Sequence, residues 1–340
     1  MKIKVKGAIL SSLLVFLILS GYLYQAGFLS HGASLEKITI GSSFNNMNGL
    51  LYITLDKGLD KGQGLELTMK PYQSGRDAVK DVKVGLVDLA CIGEFVLVNE
   101  ILAREADLRC PCAISAGDSF DLIARRGRGI SKTEDLRDKI IGVPLRTQGE
   151  FFLGRLLTFN HIALKEVTVV DVGPSQMAQA LAAGKVDAVL WVPPFTQEII
   201  NQMGDDAIAL KAQGGQDYYV LLATREEYLK ARPAAVAKLM RALEQAADFL
   251  KQRPGEASAI ISKWAKVSVS NLDRYTVRYE VFLDQSLLLA MEDEASWMIK
   301  NRLTDQTKIP NFMDYLDPDP LIKVDPKAVR LVIPGKLLPK

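Results

Sequence analysis

The sequence predicts an α/β protein built from two lobes, each a mostly parallel sheet flanked by helices. Two observations lead to this fold class. After residue 35, short β-rich runs alternate with segments of helix length, and strands that alternate with helices form mainly parallel sheets. The same order of elements also occurs twice along the chain, which indicates a duplication. The alternative is a single large α/β sheet.

The individual elements are read from the hydrophobic pattern. The predicted strands are Lys37–Gly41, Leu65–Pro71, Leu86–Ile92, Asp121–Ala124, Lys139–Val143, Val167–Val172, Val186–Trp191 and Tyr218–Ala223. The predicted helices between them include Arg76–Val84, Glu150–Asn160 and Ser175–Ala183. Residues 225–300 have an almost wholly helical pattern, in which Pro233 and Pro254 each open a helix. The tail from Asp317 is rich in proline and lysine, which predicts an irregular path over the surface.

The repeat is clearest around two similar tetrads, Gly85-Leu86-Val87-Asp88 and Gly184-Lys185-Val186-Asp187. One such tetrad is uninformative, since glycine ends helices and valine begins strands in many proteins. Here, however, a strand, a polar loop, a helix and a second strand come before both tetrads. The sequence therefore favours a true duplication, and we interpret Asp88 and Asp187 as structural residues.

The first 35 residues are predicted to lie outside the fold. Lys2, Lys4 and Lys6 precede an apolar run that carries no charge apart from His31, and such a segment is an export signal or a membrane anchor. The lysines would stay in the cytoplasm and place the rest of the chain outside. Because no Ala-x-Ala cleavage site and no lipoprotein cysteine follow, we expect an uncleaved anchor over residues 7–28. A cleaved signal is the alternative.

Composition and motifs exclude several classes of function. Without the three lysines of the N-terminal segment, 39 basic side chains stand against 40 acidic ones, so we expect no nucleic-acid binding. A Ser-His-Asp site would depend on His161, and no Gly-x-Ser-x-Gly motif is present. Zinc-ligand spacings, P-loops and dinucleotide motifs are also missing from the sequence. We therefore expect no catalytic residue, no metal and no cofactor. We also expect a monomer.

The three cysteines are Cys91, Cys110 and Cys112. An exported protein can form disulfides, but Cys110 and Cys112 are too close along the chain for an unstrained bridge. We interpret all three as small buried strand residues. A bridge from Cys91 to one of the others is the alternative.

Several short segments, taken together, resemble a known family. They are Ile38–Gly41, Asp56–Leu59, Tyr72–Gly75, Gly85–Asp88, Asp121–Arg125, Glu134–Val143 and Ala180–Ala188, with Trp191 and Pro193-Pro194 after the last. In order and spacing they resemble the substrate-binding proteins of ATP-binding-cassette importers for sulfonates, nitrate and thiamine precursors. The resemblance covers residues 36–300. The chain departs from the family in lacking the usual lipoprotein cysteine and in having Cys110-Pro111-Cys112.

The resemblance implies the two-lobed type II periplasmic-binding-protein fold. Lobe one would comprise residues 36–122 and 219–340, and lobe two residues 123–218. Crossovers near Arg125 and Tyr219 would form a hinge that closes around a ligand. The family also implies capture of a small, anionic organic molecule for an importer permease, in the periplasm or at the outer face of the cytoplasmic membrane.

Ligands of open parallel sheets bind outside the carboxyl ends of the strands. The loops at those ends contain the candidate ligand-binding residues Ser43, Phe44, Asn45, Tyr72, Gln73, Ser74, Gly93, Glu94, Arg146, Thr147, Gln148, Gly173, Trp191 and Tyr218. Most of these loops enter helices, whose free N–H groups suit an anion. The aromatic residues suit an organic body.

Each candidate also has a structural interpretation. Ser74 could be a helix N-cap, Trp191 could fill the core, and Glu94 could complement a helix dipole. Arg146 could hold an anion bidentately or be a solvated surface residue, whereas Arg76 is expected to point to solvent. Two other functions also remain open, namely a membrane-anchored ligand sensor and a small-molecule enzyme on the same fold.

Overall fold

The computed structural model of the protein describes residues 34–104 and 107–332. Their strands are β1 Glu36–Ser42, β2 Leu65–Pro71, β3 Leu89–Gly93, β4 Leu108–Gly117, β5 Asp121–Arg125, β6 Ile140–Val143, β7 Thr168–Asp171, β8 Ala188–Trp191, β9 Ala207–Lys211, β10 Tyr218–Arg225, β11 Val277–Asp284 and β12 Val329–Arg330. The predicted signal or anchor lies outside the described residues, apart from its last two positions. No helix within the described ranges has the length and apolarity to cross a membrane.

The strands form two sheets. The first has the order β12-β11-β4-β10-β3-β1-β2, and the second has the order β7-β6-β8-β5-β9. We call residues 121–211, which build the second sheet, the second half of the protein, and the remaining described residues the first half. The predicted lobe boundaries at residues 122 and 218 stay a prediction.

Both sheets are mixed rather than mostly parallel, which corrects the expectation from the sequence. The pairs β1–β3, β6–β7, β6–β8 and β11–β12 are parallel. However, β10 runs antiparallel to β3 and β4, and β5 runs antiparallel to β8 and β9. The reversal follows from the topology, because β5 and β10 each begin where the chain has just crossed from the other sheet.

Helices cover the sheets. They are α1 Gly49–Asp56, α2 Leu59–Gly62, α3 Gly75–Lys83, α4 Glu94–Ala103, α5 Gln148–Phe159, α6 Met177–Ala182, α7 Phe195–Met203, α8 Glu226–Ala231, α9 Pro233–Gln252, α10 Pro254–Ala265, α11 Val269–Leu272, α12 Gln285–Lys300 and α13 Asp319–Ile322. Pro233 and Pro254 are the first residues of α9 and α10, as predicted, because a proline at this position loses no helical hydrogen bond.

The eight predicted strands are all present, and two predictions for the last third of the chain are wrong. Strand β11 interrupts the region predicted to be helical, and it pairs with β4 in the first sheet. The tail is also more regular than expected, since β12 pairs with β11 after the short helix α13. Cys91, Cys110 and Cys112 are buried free thiols on β3 and β4, which confirms their interpretation as small strand residues.

The two tetrads have the same structural role in the two sheets. Gly85 and Gly184 have left-handed backbones with φ of 76° and 67°, where glycine is the residue of least strain. Asp88 accepts a hydrogen bond from the Thr39 N–H in the middle of β1, and Asp187 accepts one from the Ile140 N–H at the start of β6. The structural interpretation of both aspartates is confirmed.

The chain crosses between the sheets twice, from Gly117 to Asp121 and from Lys211 to Tyr218. The first crossover therefore precedes the predicted position near Arg125. The buried side chain of Gln213 ties the crossovers together, since its Oε1 accepts from the Ser119 N–H at 2.8 Å and its Nε2 donates to the Gly117 carbonyl at 2.5 Å.

The two halves also meet along three helices. In the second half, α5 packs against α4 and α12 of the first half. The ring of Phe151 lies 5.5 Å from that of Phe95 and 5.6 Å from that of Trp297, and Arg155 pairs with Asp293 at 2.9 Å. This seam holds the halves in a closed arrangement.

Candidate ligand-binding site

A small cavity lies between the two halves, at the carboxyl ends of β1, β3 and β8. Its volume is about 20 Å³, which is enough for a single water molecule. Its lining residues are Ser43, Asn45, Asn48, Gly75, Cys91, Gly93, Val96, Phe120, Thr147, Gln148, Trp191, Val192, Tyr218 and Val220. Seven of the predicted residues belong to this set: Ser43, Asn45, Gly93, Thr147, Gln148, Trp191 and Tyr218.

Three helices begin at the cavity, and none is capped by the side chain of its own N-cap residue. The N-cap residues of α3, α4 and α5 are Ser74, Gly93 and Thr147. The Ser74 hydroxyl donates to Asp77 at 2.8 Å, and the Thr147 hydroxyl donates to the Pro144 carbonyl at 2.5 Å. Because neither hydroxyl accepts from its own helix, N–H groups of the first turns stay available to an acceptor.

The loop after β1 forms a polar wall of the cavity. Asn45 accepts from the Met47 N–H at 2.9 Å and donates to the Ser43 hydroxyl at 3.1 Å. Asn48 donates to the Ser43 carbonyl at 2.7 Å, while its own Oδ1 is buried without a donor among the described residues. A buried amide oxygen without a donor is costly, so Asn48 offers an acceptor to a ligand.

Gln148 is the contact between the halves at the centre of the site. Its Oε1 accepts from the Phe95 N–H at 3.0 Å, and its Nε2 donates to Oε1 of Glu294 at 2.6 Å. Gln148 thus occupies one of the N–H groups at the start of α4. A hydrogen-bond acceptor of a ligand would compete with it for this position.

Glu94 lies behind the cavity wall and is fully buried, as is Glu294. Oε2 of Glu94 accepts from the Tyr219 N–H at 3.0 Å. Oε1 of Glu94 and Oε2 of Glu294 are buried, and no donor in the described part of the chain reaches them. Burial raises the pKa of both carboxyl groups well above the ordinary glutamate value. Each carboxyl group is also among the causes that shift the pKa of the other, so we interpret the pair as a buried polar support of the site.

Aromatic rings close the remaining side. The ring of Phe120 lies 5.7 Å from that of Trp191 and 5.1 Å from that of Tyr218, edge to face in both pairs. Trp191 is 6% exposed and lines the cavity, so it fills the core and faces the site at once. Cys91 also lines the cavity, and burial raises the pKa of its thiol to about 12.

Arg146 lies away from the cavity. Its backbone is left-handed, with φ of 59°, and its side chain is exposed. It borders a different depression, which Arg76 also lines. The expectation that Arg76 points to solvent is wrong, because Arg76 donates to the Leu145 carbonyl at 2.6 Å and pairs with Asp171 at 3.3 Å. Arg76 therefore links the two halves.

The other predicted residues are also outside the cavity. Phe44 and Tyr72 line a neighbouring groove. Gln73 is exposed, Ser74 is buried, and Gly173 precedes a short 3-10 turn. The sequence missed Asn48, Gly75, Cys91, Val96, Phe120, Val192 and Val220. Most of these are apolar or lie one turn away from a loop, but Phe120 could have been found, since it immediately precedes a predicted strand at a crossover.

Comparisons with known proteins agree with this architecture. The profile of the family described as "NMT1/THI5 like" matches residues 45–257, which is more than half of the chain. A proposed binding protein of Brucella abortus is 27% identical over 224 residues, which are 65% of this chain and 69% of that protein. A proposed binding protein of Brucella suis matches equally well.

Solved structures share the fold. The alkanesulfonate-binding protein SsuA of Xanthomonas axonopodis pv. citri, bound to MOPS, superposes with a TM-score of 0.70 at 17% identity, over 84% of this chain and 99% of that one. For the aliphatic sulphonate-binding protein SsuA of Escherichia coli, the TM-score is 0.63 at 17% identity, over 80% and 94% of the two chains. The desulfurization enzyme DSZB has a TM-score of 0.64 at 15% identity, over 84% and 98%. The chain belongs to the NMT1/THI5-like family and has the two-sheet α/β fold of periplasmic binding proteins.

Proposed function

We propose that the protein is an extracytoplasmic solute-binding protein that holds the polar head of a small organic ligand between its two halves. The observation that carries this proposal is the cavity itself. Three helices that are not capped by the side chains of their own N-cap residues begin at one small space, and both halves contribute to its lining. Such a site recognises a ligand through backbone N–H groups and aromatic contacts.

The head we propose is an anionic acceptor of the sulfonate type. Helix N-termini carry a partial positive charge that favours an anion. No Lys, Arg or His is among the described residues that line the cavity, so the N–H groups, and not Arg146, would supply the recognition. The alkanesulfonate- and sulphonate-binding proteins with this fold support a sulfonate as the first head group to test.

Ligand entry requires the two halves to separate. The cavity holds about 20 Å³, far less than a sulfonate needs. We propose that the predicted lobes, residues 36–122 with 219–340 and residues 123–218, open about the two crossovers. Gln213 joins the crossovers and would keep them together during the motion.

Binding without covalent chemistry fits the site better than catalysis. Burial keeps the Cys91 thiol protonated, because it raises the thiol pKa to about 12, and the thiolate is the nucleophilic form. His161 is exposed at the end of α5 and does not line the cavity. An enzyme remains the second function on this fold, since DSZB has it as well.

Delivery to the permease of an ATP-binding-cassette importer is the proposed role of the bound state. We further propose export, with attachment to the membrane through residues 7–28. The protein in a membrane fraction should then begin at Met1 and resist carbonate extraction. A mature N-terminus near Ser34 in the soluble fraction would instead identify a cleaved signal.

Calorimetric titration with methanesulfonate, nitrate and acetate tests the head group. We expect methanesulfonate to bind, and Ser43→Ala to weaken its binding by about tenfold, because Ser43 lines the cavity with a hydroxyl that can donate to the head and a lost hydrogen bond costs about 1.5 kcal/mol. Ser270→Ala is the matched control, since Ser270 is exposed and lies outside the cavity. Equal effects of the two substitutions would contradict the proposed site.

A further inference from the structure

A second depression lies next to the cavity. We call it the outer groove. It has a volume of about 660 Å³, and it is lined by Phe44, Pro71, Tyr72, Pro194, Phe195, Glu198, Lys263, Trp264, Ala265 and Lys266. Its volume is that of a site for a small organic molecule, whereas the cavity holds about 20 Å³.

The outer groove and the cavity share their loops. Phe44 faces the groove, while its neighbours Ser43 and Asn45 line the cavity. The loop after β2 contributes Tyr72 to the groove and Gly75 to the cavity, and the loop after β8 contributes Pro194 to the groove and Val192 to the cavity. The groove therefore borders the cavity along these loops.

One wall of the groove is a preorganised aromatic stack. The ring of Phe44 lies 6.4 Å from that of Trp264 with an interplanar angle of 12°, and Tyr52 stacks behind both. Nε1 of Trp264 is buried without an acceptor among the described residues. Tyr72 is also fixed, because its hydroxyl bonds to Asp81 and its ring packs on Gly41. Rigid rings lose little entropy when a flat ligand stacks on them.

The opposite wall comes from the second half. Phe195 is half-buried at the start of α7, beside Pro194. The aromatic part of a ligand in the groove would thus contact both halves. The polar head of a ligand in the cavity would also contact both halves. The rim carries charged side chains, with Lys263 paired to Asp56 and Lys266 making no ion pair with the described part of the chain. Only Glu198 opposes them in the lining.

We propose that the outer groove binds the flat aromatic body of the ligand. The substrate class is then an aromatic anion rather than an inorganic anion or a short-chain aliphatic anion. This inference rests on the proposed function, because the head of the same molecule would occupy the cavity. Stacking against Phe44, Trp264 and Phe195 would then discriminate in favour of aromatic over aliphatic ligands.

Titration of the full-length protein with 2-naphthalenesulfonate and methanesulfonate tests this proposal, because the two probes share a head and differ in body. We expect the aromatic probe to bind at least about tenfold more tightly. Phe195→Ala should remove most of that advantage and leave methanesulfonate binding unchanged, with Phe195→Leu intermediate. Phe159→Ala is the control, since Phe159 is 56% exposed and lies outside the groove.

The groove proposal would be overturned if the two probes bound with equal affinity. It would also be overturned if the tighter binding of the aromatic probe survived both Phe195 substitutions. Neither result would count against the sulfonate site. If neither sulfonate binds, titration with neutral 2-naphthol separates the two proposals. Binding that Phe195→Ala weakens would support the groove and reject the sulfonate head, and no binding would reject both.

Discussion

Gln148 donates to Glu294 across the two halves at 2.6 Å, and it does so while its own amide oxygen covers the Phe95 N–H. One side chain therefore closes the cleft and occupies a donor that a ligand would use. The Gln148 amide thus stabilises the closed arrangement by taking the position that we propose for a hydrogen-bond acceptor of the ligand.

Gln148→Ala should lower the free energy of unfolding by about 1–3 kcal/mol, because it leaves Glu294 and the Phe95 N–H unpaired in a buried site. Chemical denaturation measures this change. Gln197→Ala is the control, since Gln197 bonds only to Asn201 on the surface of α7 and should change stability by less than about 0.5 kcal/mol. Equal effects would show that Gln148 does not link the halves.

The substitution of Arg76 should weaken sulfonate binding more than the substitution of Arg146, which is the reverse of the expectation from the sequence. Arg146→Ala should leave sulfonate affinity within about twofold, because its side chain is exposed outside the cavity. Arg76→Ala should weaken binding by about three- to tenfold, since the closed form loses its contacts to Leu145 and Asp171. Calorimetry measures the sulfonate affinity of both variants. A larger loss of affinity for Arg146→Ala would support the anion site that the sequence predicts.

Glu294→Gln should reduce the amount of stability that the protein loses as the pH rises. Burial raises the pKa of Glu94 and Glu294, so the folded protein retains protons that the unfolded chain releases. The stability they contribute is complete below the unfolded glutamate pKa and declines as the pH rises through the raised values. Thermal midpoints measured between about pH 5 and pH 9 should fall less for Glu294→Gln than for the wild type. Glu292→Gln on the same helix should keep the wild-type profile, and an unaltered profile for Glu294→Gln would contradict the raised pKa of Glu294.

Asp88→Ala and Asp187→Ala should destabilise the protein by similar amounts, about 1–3 kcal/mol each, because each leaves a strand N–H without its acceptor. Asp88→Asn and Asp187→Asn keep an acceptor oxygen and should recover much of the loss. Denaturation curves of the four variants measure this, and a large effect at only one of the two positions would speak against equivalent roles.

These aspartates mark the part of the structure that local sequence predicts well. Glycine after a helix, valine just before a strand and an aspartate that binds the neighbouring strand are local features, and they occur twice. Strand β11 was not recognised because its alternating pattern lies within a long helical region, and its pairing with β4 joins segments far apart in the chain.

The candidate site was predictable only in outline. The rule for strand ends locates the loops, and seven of the predicted residues line the cavity. Which side chains turn inward depends on contacts that no local pattern records. Arg146 turns outward on a left-handed backbone, and Gln148 meets a partner 146 positions away. Phe120 enters the site because the first crossover passes directly beside Tyr218.

A crystal structure of the protein with methanesulfonate is the most direct test of recognition by helix N-termini. We expect sulfonate oxygens about 2.7–3.2 Å from backbone nitrogen atoms at the starts of α3, α4 and α5. We also expect the Gln148 amide to be displaced from the Phe95 N–H. Sulfonate bound beside Arg146 and Arg76, with Gln148 still on the Phe95 N–H, would contradict recognition by these helix N-termini.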